Sequence, residues 1–187
     1  FPKLAWEVGG AVLAGHGARG TYYASGGLCG QVHDGLRQYD ADDLEAAHDA
    51  GQEIGCHTFE HLSAAQCAGS RFLDSIARNR AFLATRLPGA RIESFAFPYG
   101  HSAPLLQWRV ASRFSSCRGV RAGLNGPVVE ASLLRAVALA SRQRHAYDIP
   151  ALIEAAEAER RWLILFTHDV QERPSDWGCT PAELDAA

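Results

Sequence analysis

Short apolar runs alternate with longer amphipathic stretches along the chain, a pattern typical of a parallel α/β architecture. The apolar runs predict strands near 20–24, 53–56, 92–97, 117–120, 134–139 and 162–167. The amphipathic stretches predict helices near 4–15, 41–50, 63–86, 104–112, 147–161 and after 180. No repeat or low-complexity linker interrupts the alternation, so we expect one domain over residues 1–187.

Two polar residues mark the starts of predicted helices. Asp40 stands directly before the second helical stretch, and Thr180 stands before Pro181. Asp and Thr side chains accept hydrogen bonds from free N–H groups at a helix start, and Pro is favoured at the first helical position. We therefore expect Asp40 and Thr180 to be N-caps.

Residues suited to metal binding or proton transfer follow three of the predicted strands. His57 and His61 follow the second strand, Tyr99 lies in a Pro-Tyr-Gly turn after the third, and His168 ends the sixth. Active sites of α/β proteins favour the carboxyl ends of their strands. These four residues are therefore candidates for a functional site.

The spacing of His57 and His61 makes them candidate metal ligands. Residues four apart lie on one face of a helical turn, where two imidazoles can bind a single ion. Two ligands are fewer than the three that catalytic zinc sites usually have. Surface histidines also occur at this spacing by chance, so two merely hydrogen-bonded side chains are the alternative.

Glu60 raises a competing interpretation. The pattern His57-x-x-Glu60-His61 fits the inverted zinc-protease motif, in which the Glu is the catalytic base. That motif requires both histidines inside a helix, whereas Gly55 and the preceding strand place His57 at a helix start. We expect Glu60 to face solvent or to support a neighbouring residue.

Composition excludes several classes of protein. The chain has 187 residues, 47% of them hydrophobic, and a net charge of −3. It has no dense basic patch for nucleic acid, and its apolar runs are too short to span a membrane. Its five cysteines form no Cys-x-x-Cys pair, and their odd number favours a reducing compartment. We expect a soluble, cytoplasmic protein, and its oligomeric state is not predicted.

In this order, the motifs resemble those of the polysaccharide deacetylases, the carbohydrate esterases related to NodB-type chitooligosaccharide deacetylases. The resemblance is carried by His57 and His61, by the Phe-Pro-Tyr-Gly turn at 97–100, and by the strand ending in His168-Asp169. Residues 18–24 resemble the family's second strand. The resemblance implies a distorted (β/α)7 barrel, which we expect to be incomplete at both ends here.

The resemblance also implies an activity, the metal-dependent hydrolysis of N-acetyl groups from an amino-sugar polysaccharide or oligosaccharide. His57 and His61 would bind a divalent metal, zinc first, with cobalt, nickel or manganese as alternatives. His168 would be the general acid, and the backbone N–H of Tyr99 would stabilise the oxyanion. Asp169 is expected to orient nearby backbone or His168.

Two departures from the family pattern keep other functions open. The family's Asp-Asp pair, which supplies a general base and the third metal ligand, would stand just before Phe1 and is not present, so we expect weak activity from residues 1–187 alone. The family's Arg two residues before the motif proline is Ala96 here. The alternatives are a non-catalytic carbohydrate-binding or interaction relative and a hydrolase of a small non-peptide amide.

Overall fold

The computed structural model describes residues 1–143 and 146–187 as short strands connected by helices and loops. The strands are β1 (Thr21–Ala24), β2 (Val32–His33), β3 (Leu36–Arg37), β4 (Glu53–Cys56), β5 (Ser94–Ala96), β6 (Ser116–Arg118), β7 (Val137–Ala138) and β8 (Leu165–Phe166). The helices are α1 (Lys3–Glu7), α2 (Gly9–Gly15), α3 (Ala41–Asp49), α4 (Gly69–Arg86), α5 (Pro104–Ala111), α6 (Ile149–Ala158) and α7 (Pro181–Asp185).

The central sheet is parallel and contains β1, β4, β5 and β6 in that order. A second parallel pair is formed by β7 and β8. A parallel bridge between Arg118 and Leu134 links the end of β6 to the segment that leads into β7. Neighbouring strands therefore follow chain order, with α3, α4 and α5 in the connections of the sheet, which confirms the predicted parallel α/β architecture.

Both predicted N-caps are confirmed. Asp40 accepts the N–H of Asp43 at 3.1 Å, and the Asp40 N–H donates to the Asp43 carboxylate at 2.9 Å. Thr180 and Glu183 form the same reciprocal pair at the start of α7. No helix within the described ranges is both long and apolar enough to cross a bilayer.

The predicted helix over 63–86 is wrong at its start, because α4 begins only at Gly69. Thr58 and His61 have φ angles of 59° and 56°, which an α-helix of L-residues does not accommodate. The Thr58 hydroxyl instead accepts the Leu62 N–H at 3.0 Å. Such side-chain bonds compete with helix formation. His57 and His61 therefore lie in a loop after β4, not on a helical turn.

The segment between β1 and α3 forms a hairpin, which lies outside the predicted strands. Asp34 and Gly35 connect β2 to β3, with φ angles of 49° and 75°. A two-residue loop with both φ angles positive matches the twist of an antiparallel pair. The hairpin brings His33 close to the loop after β4, with its ring centroid 5.5 Å from that of His61.

Two hydrophobic clusters form the core, and α4 contributes to both. Phe72 and Ile76 belong to a cluster with Phe95 and Val110, whereas Leu83 packs in a cluster made by β1, α3 and β4. These side chains are between 0% and 1% exposed, so they fix α4 against the sheet.

Asn79 lies between the two clusters and connects α4 to the strand ends. Its amide oxygen accepts the Gly26 N–H at 2.7 Å, and its amide nitrogen donates to the Ala24 carbonyl at 2.8 Å. The same nitrogen contacts the Cys56 sulfur at 3.3 Å. This fully buried side chain therefore satisfies backbone groups just past β1 and holds β1 and β4 at a fixed position relative to α4.

We predict that Asn79→Ala lowers the free energy of unfolding by about 2–4 kcal/mol, because the Gly26 N–H and the Ala24 carbonyl lose buried partners. Urea unfolding followed by circular dichroism measures the change. Thr85→Ala, on the exposed face of α4, is the matched control and should change the value by less than about 0.5 kcal/mol. Equal effects of the two substitutions would contradict a structural role for the Asn79 amide.

Candidate functional site

His57 and His61 face each other in the loop that follows β4. Their Nε2 atoms are 3.2 Å apart, and their ring centroids are 4.8 Å apart. Two nitrogens that each lie about 2.0–2.1 Å from a tetrahedral zinc ion are themselves about 3.3 Å apart. The observed separation therefore fits two ligands of one such ion.

A hydrogen bond to β5 fixes the orientation of His57. Its Nδ1 lies 2.7 Å from the Ala96 carbonyl oxygen. A carbonyl only accepts hydrogen bonds, so Nδ1 carries the proton and donates it, which leaves the lone pair of the neutral ring on Nε2. Histidine ligands of metals are commonly held by such a bond through the opposite nitrogen.

Aromatic rings surround His61. Its ring centroid is 4.6 Å from that of Tyr99 and 5.5 Å from that of His33. Its Nδ1 is buried and has no hydrogen-bond partner in the described part of the chain. A buried nitrogen without a hydrogen-bond partner costs free energy. Because Nδ1 has no partner, His61 can carry its proton on Nδ1 when Nε2 binds a ligand.

Both imidazoles are neutral at pH 7. Burial is the main cause that lowers the pKa of His57 well below its usual 6.5, and the charge of His61 adds to the effect. Burial also lowers the pKa of His61 to about 4, with a further contribution from His33. Neutral imidazole is the form that binds metal, so burial favours this use of both side chains.

Glu60, the acidic residue next to His61 in the sequence, is engaged elsewhere. Glu60 accepts from the Ser75 hydroxyl and pairs with Arg78 on α4, which confirms that it supports its neighbours. This position disfavours the zinc-protease interpretation, because that motif needs the Glu beside the metal. Among residues 1–143 and 146–187, no three or more His, Cys, Asp or Glu side chains are arranged to hold an ion.

Tyr99 lies in the predicted turn and presents a free backbone donor. Its φ of 58° is left-handed, and its N–H makes no backbone hydrogen bond within the described ranges. Gly100 follows with a φ of 69°, and a Cβ there would come within 2.2 Å of Val120. Glycine is therefore required next to Tyr99, whose residue surface is 52% exposed beside His61.

His168 and Asp169 follow β8 and have different environments. The ring centroid of His168 lies 6.5 Å from that of Phe166 and 6.4 Å from that of Trp177. Partial removal from water lowers the pKa of His168, and the charge of Arg118 lowers it further. Asp169 is fully buried and accepts from the Ser175 N–H at 2.9 Å and the Gln171 amide at 2.7 Å. Asp169 thus orders the loop, as expected, and does not face the site.

Sequence reasoning missed one feature of this mouth. Arg118, at the end of β6, extends over the rings of Tyr23 and Phe166, and the only signal in the sequence was a charge inside an apolar strand.

The family comparison gives one match. A sequence model of the family described as polysaccharide deacetylase matches residues 5–113. No curated protein sequence matches the chain.

Solved structures share the fold at low sequence identity. IcaB from Ammonifex degensii is 21% identical, with a TM-score of 0.66 over 74% of this chain and 64% of that one. The Streptococcus pyogenes deacetylase PplD, in complex with acetate, is 14% identical, with a TM-score of 0.64 over 73% and 59%. BA3943, a carbohydrate esterase family 4 pseudoenzyme from Bacillus anthracis, is 12% identical, with a TM-score of 0.56 over 100% and 55%.

The chain spans about three fifths of the length of the first two of these structures. The likeness confirms the expected distorted α/β barrel of the polysaccharide deacetylase type. Within this chain, His61 lies beside His57 and Tyr99 and interacts electrostatically with His168.

We predict that the metal-free protein loses stability as the pH falls below about 6.5. His57 and His61 bind protons readily when unfolded but resist protonation when folded, so the unfolded state takes up more protons in this range. Each histidine lowers the free energy of unfolding by up to about 1.4 kcal/mol for every pH unit below this value. The loss ends when the pH reaches the pKa of that histidine in the folded state.

Urea unfolding in EDTA at pH 7.5, 6 and 5 measures this dependence. His61→Asn should reduce the slope, because an amide does not take up a proton in this range. His16→Asn removes an exposed histidine on the molecule's surface and is the control. An unchanged slope in His61→Asn would refute the assignment.

Proposed function

Because the chain belongs to the polysaccharide deacetylase family, we propose that it removes N-acetyl groups from an amino-sugar polysaccharide or oligosaccharide with the help of a divalent metal ion. The observation that carries the proposal is the pair of Nε2 atoms, which lie 3.2 Å apart and belong to imidazole rings that are both neutral at pH 7. The spacing and protonation state are those that two ligands of one ion require.

His57 and His61 are the proposed metal ligands. Zinc suits two imidazoles best, and cobalt, nickel or manganese are alternatives. When bound, such an ion acts as a Lewis acid toward the acetyl carbonyl and makes hydroxide available near neutral pH. The bond from His57 Nδ1 to the Ala96 carbonyl keeps the imidazole oriented for this purpose.

The backbone N–H of Tyr99 is the proposed donor to the acetyl oxygen as negative charge develops on it. The left-handed turn at Tyr99 leaves this N–H without a backbone acceptor in the described chain. A donor that is fixed before the reaction stabilises charge without reorganisation. Gly100 maintains the turn, because a side chain there would collide with Val120.

His168 is the proposed proton donor to the leaving nitrogen. Hydrolysis adds hydroxide to the acetyl carbon and breaks the C–N bond, and the departing amine needs one proton. The lowered pKa of His168 makes its protonated form a stronger acid but reduces the fraction protonated at pH 7. The activity supplied by His168 should therefore decline as the pH rises.

Trp177 is the proposed platform for a sugar ring. Its residue surface is 45% exposed, and its ring centroid lies 6.4 Å from that of His168. Arg142 lies over the Trp177 ring at 5.2 Å, which steadies the indole in this position. An exposed aromatic face next to the proton donor suits the apolar face of a pyranose.

We predict that the zinc-loaded, full-length native chain releases acetate from N-acetylglucosamine oligomers. His57→Ala and His61→Ala should each reduce the rate by about 100-fold or more and weaken zinc binding, because each removes a ligand. Acetate release and calorimetric zinc titration measure the two effects. His16→Ala, a surface histidine that pairs with Asp185, is the matched control and should change neither.

The other outcomes favour other functions. A folded, zinc-loaded chain that binds the oligomers without hydrolysing them would support a non-catalytic carbohydrate-binding relative. Acetate release only from small N-acetylated compounds would support a hydrolase of small amides. Undiminished activity in His57→Ala would refute the proposed metal site.

A further inference from the structure

A serine and a histidine join two loops at the edge of the mouth beside Tyr99. Ser63 lies in the loop after β4, His101 follows the turn after β5, and the Ser63 Oγ is 2.9 Å from His101 Nδ1. Ser63 is buried, whereas His101 is exposed. The backbone of His101 is also held, because its N–H donates to the Pro98 carbonyl at 3.1 Å. An exposed imidazole is therefore fixed through both its backbone and its Nδ1.

The surroundings of the Ser63 hydroxyl determine which ring nitrogen of His101 carries the proton. The hydroxyl oxygen accepts the Ala65 N–H at 3.3 Å, and its own proton has no acceptor other than His101 Nδ1 among the described residues. A buried hydroxyl proton without an acceptor costs free energy, so Ser63 donates to Nδ1. In the neutral imidazole the ring proton is then on Nε2. This Nε2–H has no partner within residues 1–143 and 146–187.

The unused donor lies one ring away from the proposed metal ligands. The ring centroid of Tyr99 is 5.8 Å from that of His101 and 4.6 Å from that of His61. The backbone N–H of Tyr99 is also the proposed donor to the acetyl oxygen. With the reacting sugar at His61 and Tyr99, the next residue of a sugar chain comes within reach of His101.

The surface beyond His101 suits a sugar ring. Helix α5 begins at Pro104, and three residues span at most about 11 Å, so the first turn of α5 lies near His101. Leu105 and Trp108 on this helix are exposed, and residues three apart lie on one face of a helix. Exposed apolar side chains and one oriented donor match the apolar face and the hydroxyl groups of a pyranose.

We propose that the Nε2–H of His101 donates a hydrogen bond to an oxygen atom of the sugar residue next to the one that is deacetylated. This hydrogen bond presupposes the proposed function and restricts its substrate to chains of at least two sugar residues. A donor that is fixed before binding loses little conformational entropy when the sugar binds. A single sugar or a small amide does not reach His101, so the donor favours oligosaccharides over both.

Sugar binding by the metal-free, full-length protein tests the role of His101 without turnover. EDTA removes the metal, and NMR titration gives the dissociation constants of N-acetylglucosamine and of its trimer. His101→Phe should weaken trimer binding about three- to tenfold, the effect of one lost hydrogen bond, and leave monomer binding unchanged. His101→Gln retains an N–H donor and should restore part of the affinity. His16→Phe, at a surface histidine that pairs with Asp185, is the matched control and should change neither constant.

A spectroscopic measurement tests the position of the His101 proton. Long-range ¹H–¹⁵N NMR spectra at pH 8 should show His101 protonated at Nε2 and unprotonated at Nδ1, and Ser63→Ala should reduce this preference. Addition of the trimer should shift the Nε2 resonance, whereas addition of the monomer should not. Thermal unfolding verifies that each variant is folded, and the two His101 variants remain informative if Ser63→Ala does not fold.

Three results would overturn the role of His101. They are unchanged trimer affinity in His101→Phe, equal weakening of monomer and trimer binding, and a wild type that binds the trimer no more tightly than the monomer. A protein that binds the trimer through His101 but releases no acetate when loaded with zinc supports this role and refutes the proposed function. Acetate release with the same preference for the trimer in His101→Phe as in the wild type supports the proposed function and refutes this role.

Discussion

The hydrogen bond from His57 Nδ1 to the Ala96 carbonyl connects the end of β4 to the end of β5, and the geometry of the site depends on it. It fixes the ring, selects the tautomer and directs Nε2 toward His61. The backbone of His57 is held in turn, because the Ser25 hydroxyl donates to the His57 carbonyl at 2.9 Å. The Tyr39 hydroxyl donates to the Ser25 carbonyl at 2.9 Å, which extends the network into the core. A satisfied buried network of this kind specifies one arrangement of the strand ends.

Charge balance links the proposed metal site to Arg118. The two histidines are neutral, so they compensate neither a divalent ion nor the nearby guanidinium. No carboxylate of the described residues pairs with Arg118, and Asp169 is turned into its own loop. Two positive centres in a partly buried mouth repel each other unless negative charge lies between them.

The general position of the site could be predicted from the sequence, because apolar runs locate parallel strands and their carboxyl ends converge. The local conformation of His57 and His61 could not, since it depends on left-handed residues at Thr58 and His61. Neither residue type signals that conformation, and the expected helical turn followed from spacing alone. A loop and a helical turn both bring residues four apart together, so the pairing was right although the backbone was wrong.

The position of Arg118 could not be predicted from the sequence, for a different reason. Its place beside the histidines depends on the register that sets Arg118 opposite Ala96 and on side-chain reach across the barrel to Tyr23 and Phe166. Pairing between strands separated by a helix leaves no local trace in the sequence. The β2–β3 hairpin shows the contrast, because its Asp-Gly turn favours a hairpin through local chemistry alone.

The energetic cost of the site favours a use for the histidines beyond carbohydrate binding. Exposed aromatic faces such as that of Trp177 can bind sugar rings, and they cost little to keep at a surface. Two imidazoles buried with their Nε2 atoms 3.2 Å apart are costly, because one Nδ1 is unpaired and both rings resist protonation. Such locally unfavourable arrangements concentrate at functional sites. A metal ion bound by both Nε2 atoms would offset this cost through two coordination bonds, whereas a sugar bound outside the loop would not.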